Sequence, residues 1–243
     1  MIKEILNLAF PDNIYCISCG SYIDKTRPYS LCNGCMKKLH WINGRTCNKC
    51  GKALQDTYAG NICYDCMAYD HIFDTGLSCV TYGLHERAIV LDFKYKDKPY
   101  IGHKLGEIMG DRLLCEDEIF DLVLPVPIHR KRRDERGYNQ AEILAKKVAK
   151  KTGIEYNKSV LKRVKDTDVM RKLSSLERRE NLKGAFKATE YARGKAVLLI
   201  DDIYTTGATA DECAKVLKDA GAVSVSIMSF ASAANINTIE EDD

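Results

Sequence analysis

Residues 197–209 read VLLIDDIYTTGAT, and this stretch decides the fold. Four apolar residues predict a buried strand, two carboxylates follow it, and a short turn leads into a helix predicted from about Ala208 to Ala220. Open α/β sheets bind their ligands at the carboxyl ends of strands, where such a turn would lie. Gly207 lets the backbone approach an anion closely, and the N–H groups at a helix start attract phosphate.

The side chains of this turn indicate more than a phosphate. Two adjacent carboxylates would repel a phosphate alone, but they suit a ligand that also offers hydroxyl groups or a metal ion, as ribose 5-phosphate does. Neither a Walker loop nor a dinucleotide-binding glycine motif is present. The alternative is a strand end and a turn that bind nothing. The predicted ligand-binding residues are Asp201, Asp202, Thr205, Thr206, Gly207, Ala208 and Thr209.

Strands and helices alternate on both sides of residues 197–209. This alternation predicts an α/β fold with a parallel-rich sheet. Residues 158–187 are basic with scattered apolar residues, and we expect a mobile flap there. The predicted strands are 76–82, 121–128, 196–200 and 223–230, and the other predicted helices are 85–95, 101–114 and 137–153.

Eight of the eleven cysteines form four C-x-x-C pairs in the first 66 residues. Twelve residues separate the pairs within each half, and the pattern repeats after 31 residues, which predicts two four-cysteine zinc ribbons of structural role. An interleaved pairing, a single filled site, disulfides and an iron–sulfur cluster are the alternatives. The predicted ligands are Cys16, Cys19, Cys32, Cys35, Cys47, Cys50, Cys63 and Cys66, whereas Cys79, Cys115 and Cys213 are expected in the core.

The length of 243 residues suits two unequal domains. We predict a ribbon module with a short N-terminal helix at 1–70, an α/β domain at 71–234 and a frayed acidic tail at 235–243. Apolar runs such as AVLLI are far shorter than the roughly 20 residues that cross a bilayer. Without an export signal we expect a cytoplasmic protein, whose cysteines stay reduced.

The net charge of +3 hides a basic segment, because residues 129–187 hold 19 Lys or Arg against eight Asp or Glu. Within it, PVPIHRKRRDERGYNQ places basic side chains, among them Arg130 and Arg132, directly after a strand. This arrangement predicts a second anion site, for pyrophosphate, and the alternative is a solvated basic loop. The aromatic residues Tyr15, Tyr22 and Trp41 either fill the ribbon core or stack on bases. The five histidines form no cluster in the sequence.

Three motifs carry a resemblance to known families. VLLIDDIYTTGAT resembles the phosphoribosyl pyrophosphate motif of type I phosphoribosyltransferases. PVPIH followed by RGYNQ resembles the signature of the ComF family (amidophosphoribosyltransferase-like competence proteins of the ComFC and GntX type), and DFKYKDK at 92–98 is similar to another of its stretches. Residues 161–188 resemble a further ComF pattern, except that Met170 replaces a Gln and Lys165 an Arg. The residues that fall on the pattern are Arg163, Lys165, Thr167, Leu173, Arg178, Asn181 and Phe186.

The resemblance implies a type I phosphoribosyltransferase-like, parallel-rich sheet with helices on both faces, preceded by a double zinc ribbon. It implies that Asp201 and Asp202 are catalytic and contact the ribose, that residues 205–209 hold the 5-phosphate, that Arg163 joins the donor site, and that Mg²⁺ accompanies the donor. It also implies a role in natural transformation, with single-stranded DNA and a ComF-operon helicase or translocase as partners. A metabolic phosphoribosyltransferase and a donor sensor without catalysis are the other two hypotheses.

Overall fold

The computed structural model describes residues 13–96, 98–166 and 175–234. Its strands are β1 (Gly76–Tyr82), β2 (Leu122–Pro125), β3 (Glu155–Tyr156), β4 (Leu161–Arg163), β5 (Phe186–Ala188), β6 (Ala196–Tyr204) and β7 (Ser224–Ala233). Its helices are α1 (Asn33–Lys38), α2 (Tyr64–Ala68), α3 (Leu84–Tyr95), α4 (Pro99–Leu113), α5 (Arg130–Arg136), α6 (Gln140–Thr152), α7 (Ser175–Leu182) and α8 (Ala208–Asp219).

Five strands form one sheet in the order β1-β7-β6-β2-β3, and every neighbouring pair is parallel. Apolar side chains alternate between its two faces, as the period of a strand requires: Val197 and Leu199 pack on one side, Leu198 and Ile200 on the other. Helices α4 and α6 cover the Leu198 side, and α8 covers the Val197 side. The predicted parallel-rich α/β fold with helices on both faces is therefore confirmed.

Strand β6 is longer than the sequence pattern predicts, because pairing with β7 continues past the apolar run. Asp201 lies opposite Ser229, and the ladder runs on to Tyr204 opposite Ser232. The two carboxylates therefore belong to the strand itself. In contrast, β2 ends at Pro125, three residues before the predicted end.

The neighbours β6 and β2 send the chain in opposite directions. From β6 it continues through α8 to β7, and from β2 it continues through α6 to β3 on the other side. Because α8 and α6 lie on opposite faces, a crevice opens between the carboxyl ends of these two strands.

The ribbon segments pack on the sheet rather than standing apart from it. Leu31 and Leu39 belong to the apolar cluster on one face, and Leu54 belongs to the cluster on the other. The ribbon module therefore shares the apolar clusters on both faces of the sheet. Residues 40–42 also pair with the outer edge of β1: the amide of Ile42 donates to Cys79, and the amide of Thr81 donates to His40.

The ribbon module also contacts the sheet through its backbone, which passes close to the backbone at the start of β1. A Cβ on Gly51 would lie 2.3 Å from the carbonyl oxygen of Gly76, so only glycine fits there. Gly51 also has a φ of +71°, which favours glycine for conformational reasons. The second half of the ribbon module is thereby pressed against the start of β1.

Two expectations about individual segments are wrong. Of the flap expected at 158–187, the described residues 158–166 and 175–187 are anchored in the core, because Leu161, Leu182 and Phe186 are buried and β4 pairs with β5. Cys115 is exposed, although Cys79 and Cys213 are buried as expected, and burial raises the pKa of the Cys79 thiol to about 12.

The expected N-terminal helix and the expected acidic tail lie outside the described residues, as do Thr167, Met170 and Leu173 of the ComF pattern. Among the helices that are described, none combines the length and the apolar character needed to span a bilayer.

Candidate functional site

The turn between β6 and α8 has the geometry of an anion site. We call residues 205–209 the phosphate loop. Gly207 caps the start of α8 with a φ of +75°, which the sharp entry into the helix requires. The N–H groups of a first helical turn lack partners within the helix, so they can donate to an anion. The loop encloses a small hollow of about 30 Å³ together with Asp201 and Ile203.

The two carboxylates beside the loop differ in their surroundings. Asp202 is buried, and its Oδ2 lies 2.6 Å from Nζ of Lys94 on α3. Asp201 accepts a 2.8 Å hydrogen bond from the amide of Asp202. Burial and the neighbouring charge of Asp202 raise the pKa of Asp201 to about 7, and the charge of Lys94 opposes that shift. One of the two carboxyl groups is thus poised to change its charge near neutral pH.

A cleft of about 650 Å³ opens in front of these carboxylates, at the crevice between β6 and β2. Its size falls in the range of about 300–1,000 Å³ that is usual for small-molecule sites. It brings together groups from distant parts of the chain. The residues that line it include Tyr82, Lys94, Tyr95, Arg132, Glu135, Asn139, Arg163, Asp201, Asp202, Thr205 and Thr209.

Two arginines form the basic wall of the cleft. Arg163 stacks over the ring of Phe186 at 5.5 Å, and its Nε donates to the carbonyl of Lys165. Burial and the charge of Arg132 lower the pKa of Arg163, so the two guanidinium groups lie close enough to repel each other. An anion bound between them would relieve that repulsion.

Arg130 does not line this cleft. Its side chain is 91% exposed and pairs loosely with Asp134 at 3.9 Å, on the outer side of α5. The basic string that the sequence presents as one loop is a short helix, so its side chains diverge. Arg132 lines the cleft, and Arg130 faces solvent.

Several residues near the site carry no assignment from the sequence. Lys94 could have been noticed in DFKYKDK, but its ion pair with Asp202 depends on the fold. Beneath the phosphate loop, Asp211 accepts hydrogen bonds from His71 and Arg179 at 2.9 and 2.7 Å. A lone histidine in a linker and an arginine in a basic stretch give no signal of such a pairing.

The eight paired cysteines form two separate clusters, which we call the first ribbon (residues 16–35) and the second ribbon (residues 47–66). In each cluster the four sulfur atoms lie within 4.8 Å of one another. Bonds of about 2.3 Å from a tetrahedral zinc ion would separate sulfur atoms by about 3.8 Å. The Cys19–Cys32 and Cys50–Cys63 pairs, at 3.8 and 3.6 Å, fit that geometry.

The pairing is sequential, so the interleaved arrangement is wrong. All eleven cysteines are free thiols, which excludes the disulfide alternative for this structure. Backbone amides also point at the sulfurs: the amide of Cys63 lies 3.2 Å from Sγ of Cys47, and that of Cys32 lies 3.4 Å from Sγ of Cys16. Such donors stabilise thiolates and orient them for a metal. Both clusters suit zinc in a closed, structural site.

Comparison with protein families matches two parts of the chain. Residues 5–67 match a double zinc ribbon domain, and residues 134–243 match a phosphoribosyl transferase domain. The ribbon match covers both cysteine clusters, and the transferase match covers the phosphate loop with both carboxylates.

Curated proteins match over most of the chain. Competence protein F of Haemophilus influenzae is 29% identical over 91% of this chain and 98% of its own length. Competence protein ComFC of Bacillus subtilis is 30% identical over 81% of each chain. DNA utilization protein YhgH of Escherichia coli K12 is 23% identical over 82% of this chain and 88% of its own.

The charges around Asp201 give a test by carbon-detected NMR titration of its carboxyl group. We expect a pKa of about 7 in the unmodified chain. Asp202→Asn should lower that pKa because it removes the neighbouring negative charge, and Lys94→Met should raise it because it removes the cation. Shifts of the same sign in the two variants would contradict this account of the site.

The cysteine geometry predicts two zinc ions per chain, measured by elemental analysis of protein purified without chelators. Cys50→Ser should reduce the content to about one, since only the second ribbon loses a ligand. Cys115→Ser is the matched control, because this exposed thiol lies outside both clusters, and it should leave two ions. Loss of both ions in Cys50→Ser would contradict independent sites.

Proposed function

The chain belongs to the ComF family of competence proteins, and we propose that it binds phosphoribosyl pyrophosphate in the cleft between β6 and β2. One observation carries the proposal. The cleft joins an anion-binding loop, a carboxylate pair and an arginine pair in a single space of about 650 Å³. Phosphoribosyl pyrophosphate has three chemically different parts in the matching order: a phosphate, a ribose with free hydroxyls and a pyrophosphate.

The phosphate loop suits the 5-phosphate. Its amides and the positive end of α8 attract a dianion, and Thr205 and Thr209 border the cleft with hydroxyl donors. Asp201 and Asp202 come next along the cleft and can accept hydrogen bonds from the ribose hydroxyls. Thr206, Gly207 and Ala208 border the smaller hollow and would contribute mainly backbone amides.

Arg132 and Arg163 suit the pyrophosphate. Guanidinium groups bind phosphate oxygens through paired, charge-assisted hydrogen bonds, which are stronger than neutral ones. Mg²⁺ prefers oxygen ligands and would supply charge neutralisation to the pyrophosphate when bound with it, and Asp201, Asp202 and Glu135 are the carboxylates that line the cleft.

Lys94 has a positioning role in this proposal. Without a ligand, its ammonium group neutralises Asp202 inside the cleft wall, where an unpaired carboxylate would be costly. Ribose hydroxyls that donate to Asp202 would share that carboxylate with Lys94. The ion pair thus holds the side chain of Asp202 in place at the cleft wall before the donor arrives.

Transfer of the ribosyl group to an acceptor is a further part of the proposal. The end of β1 and α3 also line the cleft, with Tyr82, Leu91, Lys94 and Tyr95. The two tyrosine rings of this lining suit a planar acceptor, which could stack on them. In a transfer reaction the carboxylates would stabilise positive charge that develops on the ribose as pyrophosphate leaves.

Donor binding can be tested by calorimetry with phosphoribosyl pyrophosphate and Mg²⁺. Arg163→Ala removes a charge-assisted hydrogen bond worth about 1.5–3 kcal/mol, which corresponds to roughly 10- to 150-fold weaker binding. Asp201→Asn and Asp202→Asn should also weaken it. Arg193→Ala is the matched control, since that exposed arginine pairs with Glu190 away from the cleft, and it should bind as well as the unmodified chain. Equal affinity of Arg163→Ala and the control would reject the cleft as the donor site.

A second proposed function is contact with single-stranded DNA. Helix α5 exposes Arg130 and Lys131 to solvent, and Tyr15 and Tyr22 form an exposed aromatic pair on the first ribbon, with ring centroids 5.7 Å apart. Basic side chains and exposed rings are the two elements of sequence-tolerant strand binding. Of the three relatives reported above, one is named a DNA utilization protein and two are named competence proteins. Eleven free cysteines fit a reducing compartment such as the cytoplasm.

Salt dependence tests the DNA proposal. For a single strand, the logarithm of the binding constant falls with the logarithm of salt concentration by about 0.7 per phosphate contact. Replacing Arg130 and Lys131 by alanine should reduce that slope by about 1.4, whereas alanine at the exposed Arg87 and Arg193 should leave it unchanged. Fluorescence anisotropy with a labelled oligonucleotide measures both. A slope near zero in the unmodified chain would exclude phosphate contacts.

A further inference from the structure

The phosphate loop rests on a residue that follows the second ribbon. A Cβ added to Gly207 would lie 2.6 Å from Cε1 of His71 and 2.7 Å from the hydroxyl of Tyr204. The loop backbone is therefore in direct contact with the imidazole ring. His71 comes five residues after Cys66, the last ligand of the second ribbon. The lower side of the proposed donor site is thus built from the linker that leaves the ribbon.

Three contacts hold the His71 ring in one orientation. Its Nδ1 lies 2.9 Å from Oδ2 of Asp211, its Nε2 lies 3.3 Å from the hydroxyl of Tyr204, and its face stacks on Phe73 at 4.7 Å. The side chain is almost completely buried. Because both nitrogens have partners and the ring is packed, His71 can act as a fixed support for Gly207.

Asp211 extends this support to the helix and to the other end of the loop. It lies in the first turn of α8, and its carboxylate also accepts from the amide of Ile72 at 2.8 Å and from Arg179 at 2.7 Å. Arg179 in turn reaches the carbonyl of Thr206 at 3.4 Å and stacks on Tyr69 at 4.6 Å. Although burial opposes it, the hydrogen bond from His71 helps to lower the pKa of Asp211.

The linker residues that make these contacts depend on the second ribbon for their position. Cys47, Cys50 and Cys63 are buried in the same apolar cluster as Phe73 and Tyr204. Lys52, also buried, pairs with Asp65 on α2 at 2.5 Å and lies 5.6 Å from the Tyr204 ring. Small ribbons of this kind lose their fold without metal, so metal loss would free the linker and the ring it carries.

We infer that the second ribbon is a structural part of the donor site: His71 positions the phosphate loop, so metal binding at Cys47, Cys50, Cys63 and Cys66 and donor binding at residues 205–209 strengthen each other. The inference rests on the proposed donor site. Reciprocity follows from linkage, because a ligand that needs the loop in place also favours the ribbon that holds it. The segment that follows the first ribbon contacts α3 instead, through His40 and Glu86, so the first ribbon takes no part.

The test compares the two ribbons inside one molecule. Full-length zinc-loaded protein is treated with a zinc-selective chelator that spares Mg²⁺ and with an alkylating reagent, and mass spectrometry follows each cysteine peptide over time. Phosphoribosyl pyrophosphate with Mg²⁺ should slow alkylation of the second-ribbon cysteines by about 5- to 150-fold, the usual size of such coupling. Alkylation of Cys16, Cys19, Cys32 and Cys35 should stay unchanged.

Variants at two histidines assign the effect. In His71→Ala, the donor should slow alkylation of the second-ribbon cysteines by less than twofold, and donor binding should be weaker. In His71→Asn, the amide can replace the Nδ1 donor, so part of the protection and part of the donor affinity should return. His40→Ala is the matched control and should keep full protection. If the unmodified chain binds the donor but its second ribbon is not selectively protected, the inference is overturned and the proposed function stands. Absence of donor binding would overturn the proposed function and the inference with it.

Discussion

The parallel pairing of β2 with β6 is the constraint on which the site depends. It sets Pro125 beside Ile200, so the two strands end at the same edge of the sheet. The following segments then turn to opposite faces, and the space between them is the cleft. The carboxylates at 201 and 202 and the basic residues after β2 converge because hydrogen bonds fix this register, and a shift by one residue would turn Asp202 to the other face.

Each ribbon is joined to the sheet domain by a histidine and a carboxylate. His40 of the first ribbon segment contacts the buried Glu86, which also accepts from the amide of Gly83 at the start of α3. His71 contacts Asp211 at the start of α8. Helix α3 carries Lys94, and α8 follows the phosphate loop. The two metal modules are therefore joined to the two helices that flank the cleft, but only the linker after the second ribbon contacts the phosphate loop.

The sequence was sufficient for the features with local patterns. The C-x-x-C spacing predicted the cysteine clusters, and the apolar run before Asp201 predicted the central strand, because both follow from residues near one another. It was insufficient where contacts are distant. Lys94 meets Asp202 only through the sheet order, His71 meets Asp211 across 140 residues, and Arg130 and Arg132 diverge because the basic string is helical. The residue types and their spacing in the sequence do not indicate these distant contacts.

The backbone pairing of residues 40–42 with the outer edge of β1 limits how two copies of this chain can associate. An open strand edge invites another strand, and proteins usually shorten or cover such edges. Here one outer strand is covered by the ribbon segment, and the other, β3, has only two residues. Within the described part of the chain, the sheet cannot readily extend from one molecule into the next. Copies of the chain would therefore have to associate through side-chain surfaces. Residues 40–42, by covering the edge of β1, also hinder aggregation through strand pairing at that edge.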